Sequence, residues 1–266
     1  MTPGNPSARV NPVVRLRDVG MTYGRPGSQT VALAGLDLDI YPGEFLSVLG
    51  PSGCGKSTLL RCVAGLEKNT SGTIHASDVL LDGPLDRLGV VFQRDVLLDW
   101  LTILDNVLLV AGFRNRITPA HTQKALALLE RFGLKESAHR HPWELSGGMR
   151  QRASICRALL DEPELLLMDE PFGALDAMTR DDLNLELARL WQDKRKTILF
   201  ITHSIGEAVF LSDRIVIMDR NPGRIVETIT VDLPRPRALS VRDSPEFGRH
   251  SGHIRHVFAQ LGIMKE

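Results

Sequence analysis

At 266 residues, 43% of them hydrophobic and 24% charged, the chain is long enough to enclose one or two full cores and has the balance of an ordinary water-soluble protein. Lysine plus arginine equals aspartate plus glutamate at 32 each, a formal net charge of +0, so no bulk field points to nucleic acid or to an anionic membrane surface. There is no apolar run of about 18 residues and no signal-peptide core in Met1 to Asn11, which places the chain in the cytoplasm, and the odd set Cys54, Cys62 and Cys156, without metal-ligand spacing, fits a reducing compartment.

Residues 1–12 mix Pro, Gly, Ser and Asn without periodicity and read as a loose tail. Order begins near Val13, with strands expected at Val14–Leu16, Ala34–Ile40 and Phe45–Leu49, the last stopping at Gly50. A helix follows over Lys56–Ala64, with Gly65 placed to end it. Gly89–Phe92, Leu165–Met168 and Ile198–Ile201 are too short for helices and uniformly apolar, as strands buried on both faces of a parallel sheet are. Each run leads into polar residues: Gln93, Asp169, and Thr202 with His203. Ligands of open α/β sheets bind at the carboxyl ends of the strands, so these residues are placed to converge on one site.

Between Gln93 and Asp161 the pattern turns helical. Thr118 as cap and Pro119 in the first turn precede Ala125, Leu128, Leu129 and Phe132 at helical spacing, and Gly133 ends the run. This marks a helical insert within an α/β sheet domain. From Pro234 the sequence Pro-Arg-Pro-Arg leads into a polar tail, where the spacing of Ile254, Val257 and Leu261 allows one short terminal helix. No internal repeat is present.

Gly50-Pro51-Ser52-Gly53-Cys54-Gly55-Lys56-Ser57-Thr58 has the spacing of a phosphate-binding P-loop and lies where that loop works, after a strand and opening a helix. Glycines let the backbone wrap a phosphate chain with its N–H groups inward, and the helix N-terminus adds positive potential. Lys56 is expected to reach the β- and γ-phosphates and Ser57 to ligate Mg²⁺, with Thr58 behind it. The strand Leu165–Met168 delivers two acids to the same end of the sheet: Asp169, expected on Mg²⁺ through water, and Glu170, expected to polarise the attacking water. Up to this point a kinase, a GTPase and a helicase all remain open.

Leu145-Ser146-Gly147-Gly148-Met149-Arg150-Gln151-Arg152 separates them. A Ser and two Gly opening a helix make a second anion-binding N-terminus in the same chain. Two cradles for one triphosphate make sense when they face different nucleotides.

The ordered set P-loop, Gln93, Leu-Ser-Gly-Gly, Asp-Glu, Ala174-Leu175-Asp176 and Thr202-His203 resembles the ATP-binding cassette (ABC) ATPases over roughly residues 13–235. The resemblance implies a P-loop NTPase core with an antiparallel β subdomain and an inserted α-helical subdomain at about 94–160, followed by a tail at 236–266. It also implies a head-to-tail homodimer in which ATP on one P-loop is closed over by Ser146, Gly147 and Gly148 of the other chain. By the same match Gln93 senses Mg²⁺ and the attacking water, Asp176 lies at the dimer seam, and His203 contacts the γ-phosphate. Taken singly, a Gln or His at a strand end is more often a surface residue. Tyr23 matches the family's aromatic that stacks on adenine, a contact worth about 1–3 kcal/mol; as one of two tyrosines it also suits plain strand packing.

A single cassette without hydrophobic spans resembles an importer subunit docked on two separate membrane permeases. These would be served by a periplasmic or extracellular solute-binding protein, with the cassette peripheral on the cytoplasmic face of the bacterial inner membrane. GPSGCGKSTLLRCVAGL, VFQRDVLLDWLTILDNV, LSGGMRQR and PGRIVETITVDLPRPR together resemble the nitrate, sulfonate and taurine importer group. Leu97-Leu98-Asp99-Trp100 departs from that group's usual Leu-Leu-Pro-Trp, in the region expected to meet the permease, and Ala153-Ser154-Ile155-Cys156-Arg157 departs after the signature. Soluble ABC ATPases of DNA repair or translation carry coiled-coil or zinc inserts or paired cassettes; none is visible here, and the neutral charge adds no support for nucleic acid.

Overall fold

The apolar runs expected as buried strands form the middle of one sheet. A computed structural model describes residues 11–25, 27–113, 117–173 and 175–264; most of the expected N-terminal tail lies outside them. In chain order, β1 (Val14–Arg25) and β2 (Ser28–Ile40) form an antiparallel hairpin, and β3 (Phe45–Leu49) leads through the P-loop into α1 (Lys56–Val63). β4 (Ser71–Ala76) and β5 (Val79–Leu80) complete a four-stranded antiparallel sheet of order β2-β1-β4-β5. β6 (Leu88–Val91) opens the helical insert of α2 (Ile103–Phe113), α3 (Pro119–Arg131) and α4 (Gly147–Leu159). Then follow β7 (Leu165–Asp169), α5 (Ala177–Lys194), β8 (Thr197–Thr202), α6 (Ile205–Leu211), β9 (Arg214–Asp219), β10 (Arg224–Thr230) and α7 (Pro245–Gln260). The second sheet has six strands in the order β10-β9-β3-β8-β7-β6, parallel except for β10.

Alternation along the central strands explains why they are apolar throughout. Phe45, Leu49, Leu166, Met168, Ile198 and Phe200 enter the core shared with the helical insert and α5 to α7. Their neighbours Leu46, Val48, Leu165, Leu167, Leu199 and Ile201 enter a second core under the antiparallel sheet and α1. With both faces covered, each strand residue is buried, and full burial of one such side chain stabilises the fold by about 1.5–3 kcal/mol. Register then sets the site: Leu49 pairs with Thr202 and Asp169 with Ile201, so Gly50, Glu170 and His203 leave the sheet at one edge.

In the insert, Thr118 caps α3 through its side chain, Pro119 occupies the first turn, and Gly133 follows at φ 69°, as its sequence suggests. Asn106 is fully buried in α2 for a local reason. Its amide accepts from the Leu98 N–H at 2.8 Å and donates to the carbonyls of Leu98, Leu101 and Thr102, which fixes the loop before the helix.

The segment after Arg235 differs from a polar tail with a short helix. A 3-10 turn at Leu239–Asp243 and the 16-residue α7, capped by Ser244, pack Phe247, Ile254, Val257 and Phe258 into the main core. Gly248 and Gly252 lower the intrinsic helix propensity here, so packing decides what local sequence does not. Arg235 and Arg237 act as a clasp. Arg237 is buried and donates to the carbonyls of Val209, Phe210, Ser212, Val231 and Leu233, while Arg235 pairs with Asp213 at 2.9 Å and lies 3.9 Å over the Trp191 ring.

Candidate functional site

The P-loop takes its path from residues that only glycine suits. Gly53 and Gly55 have φ of 79° and 94°, and a Cβ on Gly55 would stand 2.6 Å from Leu33 Cδ2 and 2.9 Å from the Ala32 carbonyl. Gly55 is the N-cap of α1, so the first N–H groups of that helix open toward the loop. Cys54 is buried and burial pushes its thiol up, which makes it a packing residue within the loop. Pro51 accepts from the Cys54 N–H, whereas Ser52 and Gly53 are exposed.

Lys56 is 5% exposed, and its ammonium donates to the carbonyls of Gly50 at 2.9 Å and Pro51 at 3.0 Å. The same nitrogen lies 3.7 Å from Glu170 Oε1. Glu170 Oε2 in turn accepts from Gln93 Nε2 at 3.4 Å and lies 3.3 Å from His203 Nδ1. Residues from four strand ends, far apart in sequence, thus meet on one carboxylate. Glu170 sits just past β7 at φ 43°, a left-handed backbone that turns its side chain out of the strand's alternation. Its carboxylate is 18% exposed, and the imidazole of His203 is 54% exposed. Asp169 is half-buried near Ser57, and burial raises its carboxyl against the lowering influence of that hydroxyl. A water held by Glu170 would find a proton acceptor, a fixed ammonium and a helix N-terminus converging on it, the arrangement that in-line attack on a terminal phosphate needs.

Tyr23, on β1, donates its hydroxyl to Glu67 and bonds Thr58 Oγ1 at 3.4 Å, which ties the ring to α1 beside the P-loop. Glu67 also accepts from Arg61 at 2.9 Å. Tyr23 packs against the second core as well, so strand packing and a place near the nucleotide seat coexist.

Ser146, Gly147, Gly148 and Asp176 form a second group. Ser146 caps α4 by accepting from the Met149 N–H at 3.3 Å, and Asp176 caps α5 by accepting from Thr179 at 3.0 Å. Ser146, Gly147 and Asp176 are exposed; Ala174 lies outside the described residues. The two turns abut, since a Cβ on Gly148 would meet Thr179 Cγ2 at 2.8 Å. None of the four contacts the Glu170 cluster among the described interactions. They present two open helix N-termini outward, a surface suited to an anion carried by another molecule.

The sequence reading did not single out the side chains that hold the Gln93 loop. Gln151 donates to the Phe92 carbonyl at 3.2 Å, Arg150 pairs with Asp95 at 2.8 Å, and Arg157 donates to the carbonyls of Asp95 and Val96 at 2.9 and 2.8 Å. The available signal was Arg150 and Gln151 directly after the Ser-Gly-Gly turn, with Arg157 two turns further along α4.

Comparison with known proteins identifies the family and the fold. The family described as ABC transporter matches residues 33–173. An uncharacterized ABC transporter ATP-binding protein of Methanocaldococcus jannaschii, MJ0412, is 45% identical over 231 residues, 87% of this chain and 85% of that one. The taurine import ATP-binding protein TauB of Pseudomonas aeruginosa is 44% identical, covering 87% of this chain and 90% of its own. The aliphatic sulfonates import ATP-binding protein SsuB of Bacillus licheniformis is 44% identical, covering 85% and 86%. Among solved structures, the dimeric post-hydrolysis cassette MJ0796 bound to ADP and Pi superposes with a TM-score of 0.75 at 32% identity, over 83% of this chain and all of that one. A chain that shares this fold and sequence with such cassettes, and gathers Lys56, Gln93, Glu170 and His203 at one sheet edge, belongs to the ABC transporter family as one of its ATP-hydrolysing cassettes.

Proposed function

We propose that the chain is the ATPase subunit of a solute importer, and that it works as a homodimer closed by two ATP molecules. The observation that carries this reading is the Glu170 carboxylate, held at once against Lys56, Gln93 and His203. Glu170 polarises the attacking water, and Lys56 with His203 meets the charge that develops on the γ-phosphate. The backbone from Gly50 through Thr58 cradles the phosphates, Tyr23 stacks on adenine, and the partner's Ser146 to Gly148 turn covers the nucleotide while Asp176 lines the seam.

Ser57, Asp169 and Gln93 suit Mg²⁺. The ion takes one or two protein oxygens and completes its shell with phosphate oxygens and water, and Ser57 is near enough to Asp169 to lower its carboxyl. When bound, the metal neutralises phosphate charge. The ATPase domain spans residues 13–235 with the helical subdomain at 94–160, and residues 236–266 form its C-terminal extension.

No helix among the described residues is long and apolar enough to cross a membrane. Two permease subunits and a solute-binding protein complete the transporter, and the cassette sits peripherally on the cytoplasmic face of the bacterial inner membrane. The relatives named for taurine and aliphatic sulfonate import favour a small organic anion or nitrate as the solute, with no nucleic-acid partner.

Purified protein supplied with ATP and Mg²⁺ is expected to release phosphate, and EDTA is expected to stop release within the assay's detection. Turnover that persists undiminished in EDTA contradicts the metal assignment. Turnover that stays undetectable even in a reconstituted transporter contradicts the enzyme reading.

A further inference from the structure

A buried acid, Glu207, and a partly buried base, Arg180, lie behind the site without touching it. Glu207, on α6, is 5% exposed, and its Oε2 accepts from Thr202 Oγ1 at 2.6 Å. Thr202 Oγ1 also accepts from the Ser204 N–H at 3.0 Å, so this one hydroxyl fixes the backbone on both sides of His203. On the other side, Arg180 of α5 reaches Glu207 Oε1 with its Nε at 3.5 Å and donates through Nη2 to the Leu175 carbonyl at 2.9 Å. Leu175 precedes Asp176. A continuous chain of contacts therefore runs from the turn carrying Asp176, through Arg180, Glu207 and Thr202, to His203.

We propose that Glu207 and Arg180 are a positioning pair that couples the outward-facing turn at Asp176 to the orientation of His203. Two features favour a working link over a static brace. Buried charges are costly unless paired, yet Arg180 Nε is buried without a hydrogen-bond partner and stands 3.5 Å from the carboxylate it faces. The contact can tighten by about 0.6–0.8 Å before reaching the usual length of a charge-assisted bond. A push on the 175–176 turn would close it and draw Thr202 with it. Burial also raises the Glu207 carboxyl, opposed first by the hydrogen bond from Thr202 and then by the Arg180 charge. Arg242, from the C-terminal segment, pairs with Asp181 beside Arg180 at 2.6 Å and leaves Arg180 to Glu207.

The inference rests on the assignment of Glu170 and His203 above, and its test separates the two. Glu207→Gln, Arg180→Gln, the double variant and the near-isosteric Thr202→Val are compared for ATP kcat and KM and for thermal midpoint. Each single change is expected to lower kcat about 10-fold or more with KM within about twofold, because misplacement by a fraction of an ångström costs catalysis more than binding. The double variant is expected to be no slower than either single one, the mark of a coupled pair, and Arg180→Lys to recover part of the rate. Wild-type kcat in any of the three single variants overturns the proposal. Additive losses that track a falling thermal midpoint also overturn it, because they describe a structural role only. Failure of the underlying assignment shows elsewhere, as turnover indifferent to Glu170→Gln.

Discussion

Glu170→Gln is expected to slow ATP hydrolysis by about 10²–10⁴-fold, the range for loss of a general base, while leaving Mg-ATP bound. The amide keeps the size of the carboxylate and can still meet Gln93 and His203, which lie 3.4 and 3.3 Å from Oε2. What it loses is the charge that polarises water. Asp169→Asn is expected to fail at an earlier step. Asp169 is half-buried near Ser57, where its charge draws a metal ion rather than a proton from water, so the variant weakens Mg-ATP binding itself. Phosphate release paired with equilibrium ATP binding distinguishes the two: slow turnover with intact affinity for Glu170→Gln, reduced affinity for Asp169→Asn. A Glu170→Gln protein that turns over at the wild-type rate removes Glu170 from the role of base.

Lys56→Ala is expected to lower turnover by about 10²–10³-fold, the usual cost of removing one fixed group that meets developing charge, and to raise the KM for ATP as well. The second effect follows from where the ammonium sits. Its bonds to the Gly50 and Pro51 carbonyls brace the loop from inside, and its 3.7 Å approach to Glu170 joins the two halves of the site. Removing it leaves two carbonyls and a carboxylate facing the phosphate path with no cation among them. Steady-state phosphate release across ATP concentrations checks this, and unchanged kcat and KM contradict the placement of Lys56 on the phosphates.

The parts of the molecule that were legible in the sequence are those where one local pattern has one physical meaning. The runs Leu165–Met168 and Ile198–Ile201 are apolar at every position because both sheet faces are covered, and Gly53 and Gly55 of the P-loop stand where φ is positive. Gln93, Asp169 and Thr202 with His203 are expected at the strand ends, and it is Glu170, the residue after Asp169, whose carboxylate meets Gln93 and His203. Less could be read where tertiary packing overrides local preference. α7 contains two glycines and a serine and still forms four turns, because Phe247, Ile254 and Phe258 have a core to enter. The Pro-Arg-Pro-Arg stretch reads as the start of a polar tail, yet its arginines satisfy carbonyls of Val209, Phe210 and Leu211 on α6, far upstream in the chain. Glu207 and Arg180 look like solvated helix charges in sequence, and only the side-by-side meeting of their helices, which buries Glu207, brings them together.

The central claim is that each nucleotide is seated on one chain's P-loop and covered by the other chain's Ser146 turn. Light scattering after size-exclusion chromatography in Mg-ATP tests it most directly when Glu170→Gln holds ATP unhydrolysed. Ser146 is exposed and caps α4 through its hydroxyl, so a bulky cation introduced there obstructs the covering face without entering the P-loop of its own chain. Glu170→Gln alone is predicted to run at twice the monomer mass. Glu170→Gln combined with Ser146→Arg is predicted to bind ATP with similar affinity and to remain at the monomer mass. An ATP-dependent dimer that persists in the double variant contradicts the composite site.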